Sequence, residues 1–314
     1  MSSAVEKAAL VALLRKGRRP WQVYAELVEE TGSALRVLER ELERNDHPAT
    51  LFDLPVEGRA ALDRVDITKA LDKAAADLAA WRAAGIDVVT VLDSSYPKNL
   101  RHVDRPPLLF SAGELSPVDA RSVAVVGTRN PSAEGIATAE QLAADLVSAG
   151  YTVISGLASG IDTAVHRAAL ASGGRTVAVV GTGLLHCYPP QNVALAQRIA
   201  HECAVVSQFW PEAPPTRRTF PMRNAVMSGM TLGTVIVEAS HMSGTRIQAR
   251  LALAQGRPVF LYRSLLAQPW ARELATRPAT HTIGTVKDVL AVFARLTASQ
   301  ELGVDDSVAR LPGR

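Results

Sequence analysis

The chain has 314 residues, 47% of them hydrophobic, enough to bury a full core in one main domain with smaller appendages and incompatible with a mainly disordered polymer. No apolar run approaches the roughly 20 residues that a membrane-spanning helix needs, and no basic stretch with a signal-peptide core opens the sequence. The net charge of +3 is only mildly basic, and two cysteines, Cys187 and Cys203, are too few for a disulfide framework, so a cytoplasmic protein is expected.

Residues 1–84 read as a small N-terminal helical domain. Leu10, Leu13 and Leu14 share one stripe, and Pro20 suits the first turn of a helix carrying Val23, Leu27 and Val28. A further helix from about Asp66 to Ala84 ends at Gly85, a C-cap residue type. The β-rich run Ile86–Leu92, the segment Asp93 to Pro97 and the pair Pro106-Pro107 form a strand and loop leading into a main domain at 85–264.

From Ser122 the pattern alternates. Val123-Ala124-Val125-Val126 runs into Gly127, followed by helical spacing at Ile136, Ala139, Leu142, Ala143, Leu146 and Val147. Thr152-Val153-Ile154 ends at Ser155-Gly156, and Ile161, Ala164, Val165 and Ala168 make the next helical stripe. Val177 to Val180 ends at Gly181-Thr182-Gly183, with a helix from about Val193, and Ala204-Val205-Val206, Val235-Ile236-Val237 and Val259-Phe260-Leu261 supply three more strands. Fully apolar strands alternating with helices specify an α/β fold: a mostly parallel sheet with helices on both faces. Residues 265–314 read as a C-terminal helical extension with one amphipathic helix from Thr285 to Ala294 and a loose last dozen residues.

Ligands of open α/β sheets bind beyond the carboxyl ends of the strands. Those ends carry Gly127-Thr128-Arg129, Gly156 to Gly160 and Gly181-Thr182-Gly183, where glycine admits close backbone approach and the following helix starts offer amides to anions. Ser159 and Asp162 have capping-box spacing, placing the start of the second helix. The same glycines also serve if they only make tight turns, and both readings stand at this point. The usual nucleotide motifs are missing: no Gly-x-Gly-x-x-Gly in the first loop, no acid closing the second strand, no P-loop and no Gly-x-Ser-x-Gly elbow. An NAD enzyme or an NTPase is thereby disfavoured. His186-Cys187 and His201-Glu202-Cys203 match no zinc spacing, so neither a metal nor a cofactor is expected. His166 reads as a structural helix-surface histidine, with a base or an anion contact as the alternatives.

Residues 208–264 hold seven Arg, no Lys and two acids, Glu212 and Glu238. Within them, Thr216 to Asn224 sets Arg217, Arg218 and Arg223 around Phe220, with Pro214, Pro215 and Pro221 keeping the chain extended before a helix. Cations that follow phosphates beside a ring that stacks bases are what a sequence-tolerant single-strand site needs. A solvated loop with Phe220 in the core is the duller alternative.

Taken together, these motifs resemble the DNA-processing protein A (Smf) family. The resemblance rests on Gly127-Thr128-Arg129 with Pro131-Ser132, Ser155 to Asp162, His166, Gly181-Thr182-Gly183 and Tyr188-Pro189-Pro190-Gln191-Asn192. Phe220-Pro221-Met222-Arg223-Asn224, Val237-Glu238-Ala239 and Ser243-Gly244 follow in the family's order, over roughly residues 86–262. It implies an extended Rossmann-like DNA-binding domain behind a helical one, single-stranded DNA binding without catalysis, a homodimer, and delivery of the RecA recombinase onto DNA in natural transformation. Carried over, Arg129, Gly156, Ser159 and Gly160 form a phosphate pocket, while Arg217 or Arg218, Phe220, Arg223 and Asn224 line the strand's path. Gly127, Thr128, Gly181, Gly183, Ser243 and Gly244 complete the expected contact set. The chain departs from the family's usual residues at Gln208, Ala225, Gln248 and Tyr262-Arg263. A small-nucleotide sensor or a nucleotide phosphoribohydrolase of the related lysine-decarboxylase-like (LOG) proteins is the alternative. Only Leu232-Gly233-Thr234 and Glu238 echo that signature, and Thr234 to Glu238 is one residue too long.

Overall fold

The computed structural model describes residues 3–17, 19–45, 56–240 and 244–301. The N-terminal block forms four helices, α1 (Ala4–Lys16), α2 (Trp21–Thr31), α3 (Ala34–Asn45) and α4 (Val56–Ala83). Ser3 caps α1, its hydroxyl accepting from the Glu6 amide at 3.2 Å. The chain leaves α4 through Gly85, at φ +76°, the left-handed geometry that glycine adopts without a Cβ clash.

Strands and helices then alternate. β1 (Asp87–Thr90) and β2 (Leu108–Gly113) form a hairpin, followed by β3 (Ser122–Val126), α5 (Ala133–Ser148), β4 (Thr152–Ser155), α6 (Ile161–Ala171) and β5 (Thr176–Val179). Next come α7 (Val193–Glu202), β6 (Ala204–Ser207), α8 (Thr219–Met230), β7 (Thr234–Ile236), α9 (Thr245–Ala254) and β8 (Val259–Tyr262). α10 (Pro269–Ala275), β9 (Thr280–Ile283) and α11 (Val286–Glu301) complete the described chain.

The nine strands make one sheet in the order β1-β2-β6-β5-β4-β3-β7-β8-β9. β2 pairs antiparallel with β1 and β6, and the strands from β6 to β9 are parallel. The chain steps outward from β3 to β6, crosses back through α8, and resumes at β7 beside β3. The crevice between β3 and β7 is therefore the topological switch point, where open α/β sheets take ligands. The apolar runs specify the mostly parallel sheet covered on both faces, and the strand order is the Rossmann-like one that the resemblance implies.

Period-two alternation divides the core. Val123 and Val125 join Leu142, Val165 and Phe293 on one face, whereas Ala124 and Val126 join Met227, Met230 and Ala252 on the other. The N-terminal helices extend this second core. Trp81 meets Phe110 edge-on at 5.2 Å, and Trp210 lies 5.3 Å from Trp21 and 5.9 Å from Trp81, ring centre to ring centre.

Two expectations are corrected here. The segment 265–314 is not purely helical, because β9 adds a strand to the sheet through backbone pairing with β8. Residues 219–224 are not extended, because α8 begins at Thr219 and holds Pro221 in its first turn, where its missing N–H costs no helical hydrogen bond. The last dozen residues lie outside the described ones.

Candidate nucleic-acid interface

Two cavities open beyond the carboxyl ends of the central strands, of about 410 Å³ and 240 Å³. They share Arg129, Asn130, Ala158, Phe220 and Arg223, which stand between them. The larger sits at the switch point, and Val126, Met227 and Gln248 line it below a rim of Thr128 and Asn224. The smaller is bounded by Gly156, Ser159, Gly181, Tyr188 and Pro189. The exposed Arg129 guanidinium lies over the Phe220 ring at 5.6 Å, and that ring is 5.9 Å from Tyr188, itself 44% exposed. A cation and two aromatic rings thus share one lip of the sheet.

Beneath them lies a buried polar cluster. Arg223 Nη1 donates to the carbonyls of Gly156 and Val179, and Nε donates to Asn224 Oδ1 at 3.1 Å. Asp162 reaches back along its own loop to accept from the amides of Gly156 at 3.1 Å and Ala158 at 3.3 Å. Burial raises the Asp162 pKa, offset by the Arg223 charge and these amides. Burial likewise lowers that of Arg223, opposed by Asp162 and reinforced by nearby Arg129. Two opposite charges out of water are tolerable here because each answers the other and both hold backbone groups.

The glycines are explained by contacts within the protein. A Cβ on Gly156 would strike the Arg223 guanidinium, and one on Gly181 would press on the Phe220 ring. Gly127 packs on Ile161, Gly160 on the backbone of Thr128 and Arg129, and Gly183 on the carbonyls of Trp210 and Pro211. Leu157, at φ +59°, is buried, and Asn192 pins its carbonyl at 2.9 Å while also donating to Thr163 Oγ1 at 2.8 Å. Asn192 therefore holds the β4–α6 loop in a backbone conformation that leucine rarely adopts.

Of the expected contact residues, Gly127, Thr128, Arg129, Phe220, Arg223, Asn224 and Gly244 line the larger cavity. Gly156, Ser159 and Gly181 line the smaller. Gly160 and Gly183 line neither, Arg217 and Arg218 are exposed in the turn before α8, outside both, and Ser243 lies outside the described residues. The phosphate-cradle reading of Gly156 needs correction, since its amide already serves Asp162. Arg223 is buried beneath the lip rather than extended along it. Ser159 does not cap α6: the N-cap is Gly160, with no side-chain hydrogen bond. His166 is fully buried instead of on the helix surface, its Nδ1 2.7 Å from Thr176 Oγ1, and burial beside Arg223 pushes its pKa down to about 3. Asn130, Tyr188, Met227 and Gln248 line the cavities without having been assigned to the site. For Tyr188 the signal was present in its motif; for Met227 and Gln248 only the helix geometry brings them in.

Ser132 caps α5, and Glu238, just beyond the neighbouring strand β7, holds that cap by accepting from the Ser132 amide at 3.2 Å and the Ser132 hydroxyl at 2.8 Å. It lines neither cavity. A carboxylate at the α5 N-terminus answers the helix dipole and fills the position where a Rossmann phosphate would sit. Among the described residues, no group of His, Cys, Asp and Glu is placed to hold a metal ion, and no helix is long and apolar enough to cross a membrane.

Comparison with known proteins agrees with this arrangement. The profile of the family described as DNA recombination-mediator protein A matches residues 87–292. The chain is similar to the DNA processing protein DprA of Bacillus subtilis, 36% identical over 215 residues that cover 68% of this chain and 72% of that one. It spans just under half the length of the Smf proteins of Synechocystis sp. and Escherichia coli, to which it is 38% identical over 173 and 174 residues. Among solved structures it resembles the X-ray structure of DNA processing protein A from Streptococcus pneumoniae, with TM-score 0.67 and 28% identity over 92% of this chain and 95% of that one. A Helicobacter pylori DNA processing protein A, whose structure concerns a unique single-stranded DNA binding mode, shares the fold with TM-score 0.59 and 24% identity over 67% of this chain and 96% of that one. On the breadth of the profile match and the Bacillus relative's similarity, the chain belongs to the DNA recombination-mediator protein A family.

Proposed function

We propose that this protein binds single-stranded DNA along the lip formed by the β3–α5 loop, the β4–α6 loop and the head of α8. There it protects the strand and helps load a RecA-type recombinase onto it during DNA uptake and recombination, acting as a cytoplasmic homodimer without catalysis. The observation that carries the reading is Arg129 lying over Phe220 between two cavities at the switch point. An exposed guanidinium follows phosphates, and rings accept any base face, so the pairing favours a strand whose bases are unpaired. Tyr188 supplies a second ring, and the exposed Arg217 and Arg218 extend the positive path toward the start of α8. The family's own description as a recombination mediator, and the single-strand binding of the Helicobacter relative, support the same reading.

The test is a fluorescence-anisotropy titration of single and duplex oligonucleotides at two salt concentrations. Single strands bind more tightly, and affinity falls steeply with salt as counterions are released. Arg129→Ala weakens single-strand binding by about 1.5–3 kcal/mol, the range for a hydrogen bond to a charged group, and lowers the log–log salt slope by about 0.7. Its unfolding midpoint stays put, because the side chain is exposed. Duplex preference, or an unchanged affinity in the variant, sinks the assignment. The recombinase role is checked separately, by the rate of filament assembly on oligonucleotide with and without this protein.

A further inference from the structure

A further cavity, of about 290 Å³, adjoins the head of α8. Trp21 and Gln22 of α2 form one wall, Phe209, Trp210 and Ala213 of the β6–α8 segment another, and Met222 of α8 a third. Phe220, which lines the lip, and Met222 are two residues apart on α8 and so point about 200° apart around it. The cavity therefore lies across the helix head from the lip. Its rings are reachable: Trp21, Phe209 and Trp210 are each partly exposed, Met222 is 50% exposed and Gln22 is exposed. Its lining is mostly apolar and holds no acid, and Glu212, beside Ala213 in the chain, accepts instead from the Trp81 indole. It continues into a cavity of about 520 Å³, with which it shares Gln22, Gln208 and Met222, and where Asp104 is the one acid among the lining residues. Such a groove has room for more than one ring system. Between it and the lip, the turn before α8 carries Arg217 and Arg218, both exposed and unpaired among the described residues.

We propose that this groove stacks bases of the same single strand where it runs on from the lip, while Arg217 and Arg218 carry its phosphates over the head of α8. The proposal rests on the single-strand reading of the lip and extends it to a surface shared by the helical block and the sheet. An α-helix is about 10–12 Å across, so a strand held at Phe220 reaches Met222 within a few nucleotides. Each nucleotide brings a flat apolar face and a negative charge together, which is what a wall of rings without carboxylates beside two free guanidinium groups answers. The apolar surface of a second copy of this chain would cover the rings but leave both guanidinium groups without an anion.

The experiment titrates single strands of increasing length, each also made with abasic sites throughout the added part, and follows tryptophan emission. Once a strand outruns the lip, the native protein binds it at least about fivefold more tightly than the abasic strand of equal length, the low end of one base stacked on an aromatic side chain. The same strands quench tryptophan emission, and the abasic ones do not. Trp21→Leu keeps the affinity for short strands and loses most of the difference between intact and abasic long ones. Met222→Glu, at an exposed position, does likewise in about 0.15 M salt, where screening over about 8 Å shields the lip from the new charge. It decides the matter should Trp21→Leu not fold. Equal binding of intact and abasic long strands, or a difference that survives in Met222→Glu, overturns the proposal. So does a native dimer that Met222→Glu dissociates with strand affinities unchanged, which gives the groove to a second copy. Short strands that bind without any later gain defeat the groove alone; failure of every strand to bind defeats the reading of the lip as well.

Discussion

Arg129 and Arg223 illustrate how one residue type takes opposite duties a few ångströms apart. Arg129 is exposed over a ring, whereas Arg223 is buried and ties Gly156 and Val179 to α8. The same buried layer gives a pH dependence whose sign can be worked out. His166 has its pKa pushed from 6.5 down to about 3 by burial, aided by Arg223. The unfolded chain thus binds the extra proton first, so the stability His166 contributes is complete above pH 6.5 and is lost progressively as pH falls toward about 3. At pH 5 the loss amounts to about 2 kcal/mol. Asp162 acts with the opposite sign, since its raised pKa favours the folded state in acid. Urea unfolding at pH 7.5 and pH 5 isolates the histidine: the native protein loses about 2 kcal/mol more than His166→Asn, in which Asp162 and the other groups are retained. Equal losses in the two proteins would refute the burial argument. The sequence singles out Arg129, Gly156, Phe220 and Arg223 as candidates, but not their placement, and it gives no sign of Asn130 or Met227 in the cavity lining. Arg129, Phe220 and the glycines are legible as types at strand ends, but that Gly156 must yield space to a guanidinium, or that Asp162 takes its amide, depends on α8 crossing the sheet from residues far along the chain.

At the scale of elements, the strands buried on both faces were legible because β3 to β8 are short apolar runs closed by glycine, serine or a polar turn. β9 was not. Thr280-His281-Thr282-Ile283 has one buried apolar residue, Ile283, and no alternation that single-sequence reading separates from a loop. Its strand character comes from the parallel edge that β8 presents. The start of α8 was misplaced because Pro221 reads as a breaker when it is a first-turn residue. A related long-range device fixes the start of α5, where Ser132 accepts from the Gly135 amide and itself donates to Glu238. Glu238→Gln removes the negative charge at that helix end and costs about 1 kcal/mol, the scale of a cap and dipole contribution. Thermal unfolding should show the small loss, while oligonucleotide affinity stays within twofold because Glu238 lines neither cavity. Were native protein instead to release free base from nucleoside monophosphates, and Glu238→Gln to stop it, the carboxylate would be a catalytic group and the capping account would be wrong.

Across the whole molecule, the N-terminal helices and the sheet are joined by one continuous core rather than by a linker. Trp81, at the end of α4, is buried against Phe110 and Trp210, and its indole donates to Glu212 Oε1 at 2.8 Å. Arg15 lies over Trp210 at 4.6 Å and so ties α1 to the same cluster. A shared apolar core makes the two parts unfold together, since neither can expose its side of the contact without losing the other's burial. Trp81→Ala removes a large aromatic from the centre of that contact, at about 3–5 kcal/mol, and should separate the unfolding into two steps. In the variant Trp21 and Trp210 remain at the junction, while Trp270, on α10, lies under Arg246 of α9. Tryptophan emission in the variant therefore reports the loss of the junction, ahead of the far-ultraviolet dichroism of the sheet domain. No residue lining the two cavities at the lip comes from α1 to α4. Single-strand binding should accordingly persist between the two transitions. A single transition merely displaced to lower temperature would show that the sheet cannot stand without the helices, and binding lost at the first step would show that the helical block shapes the lip.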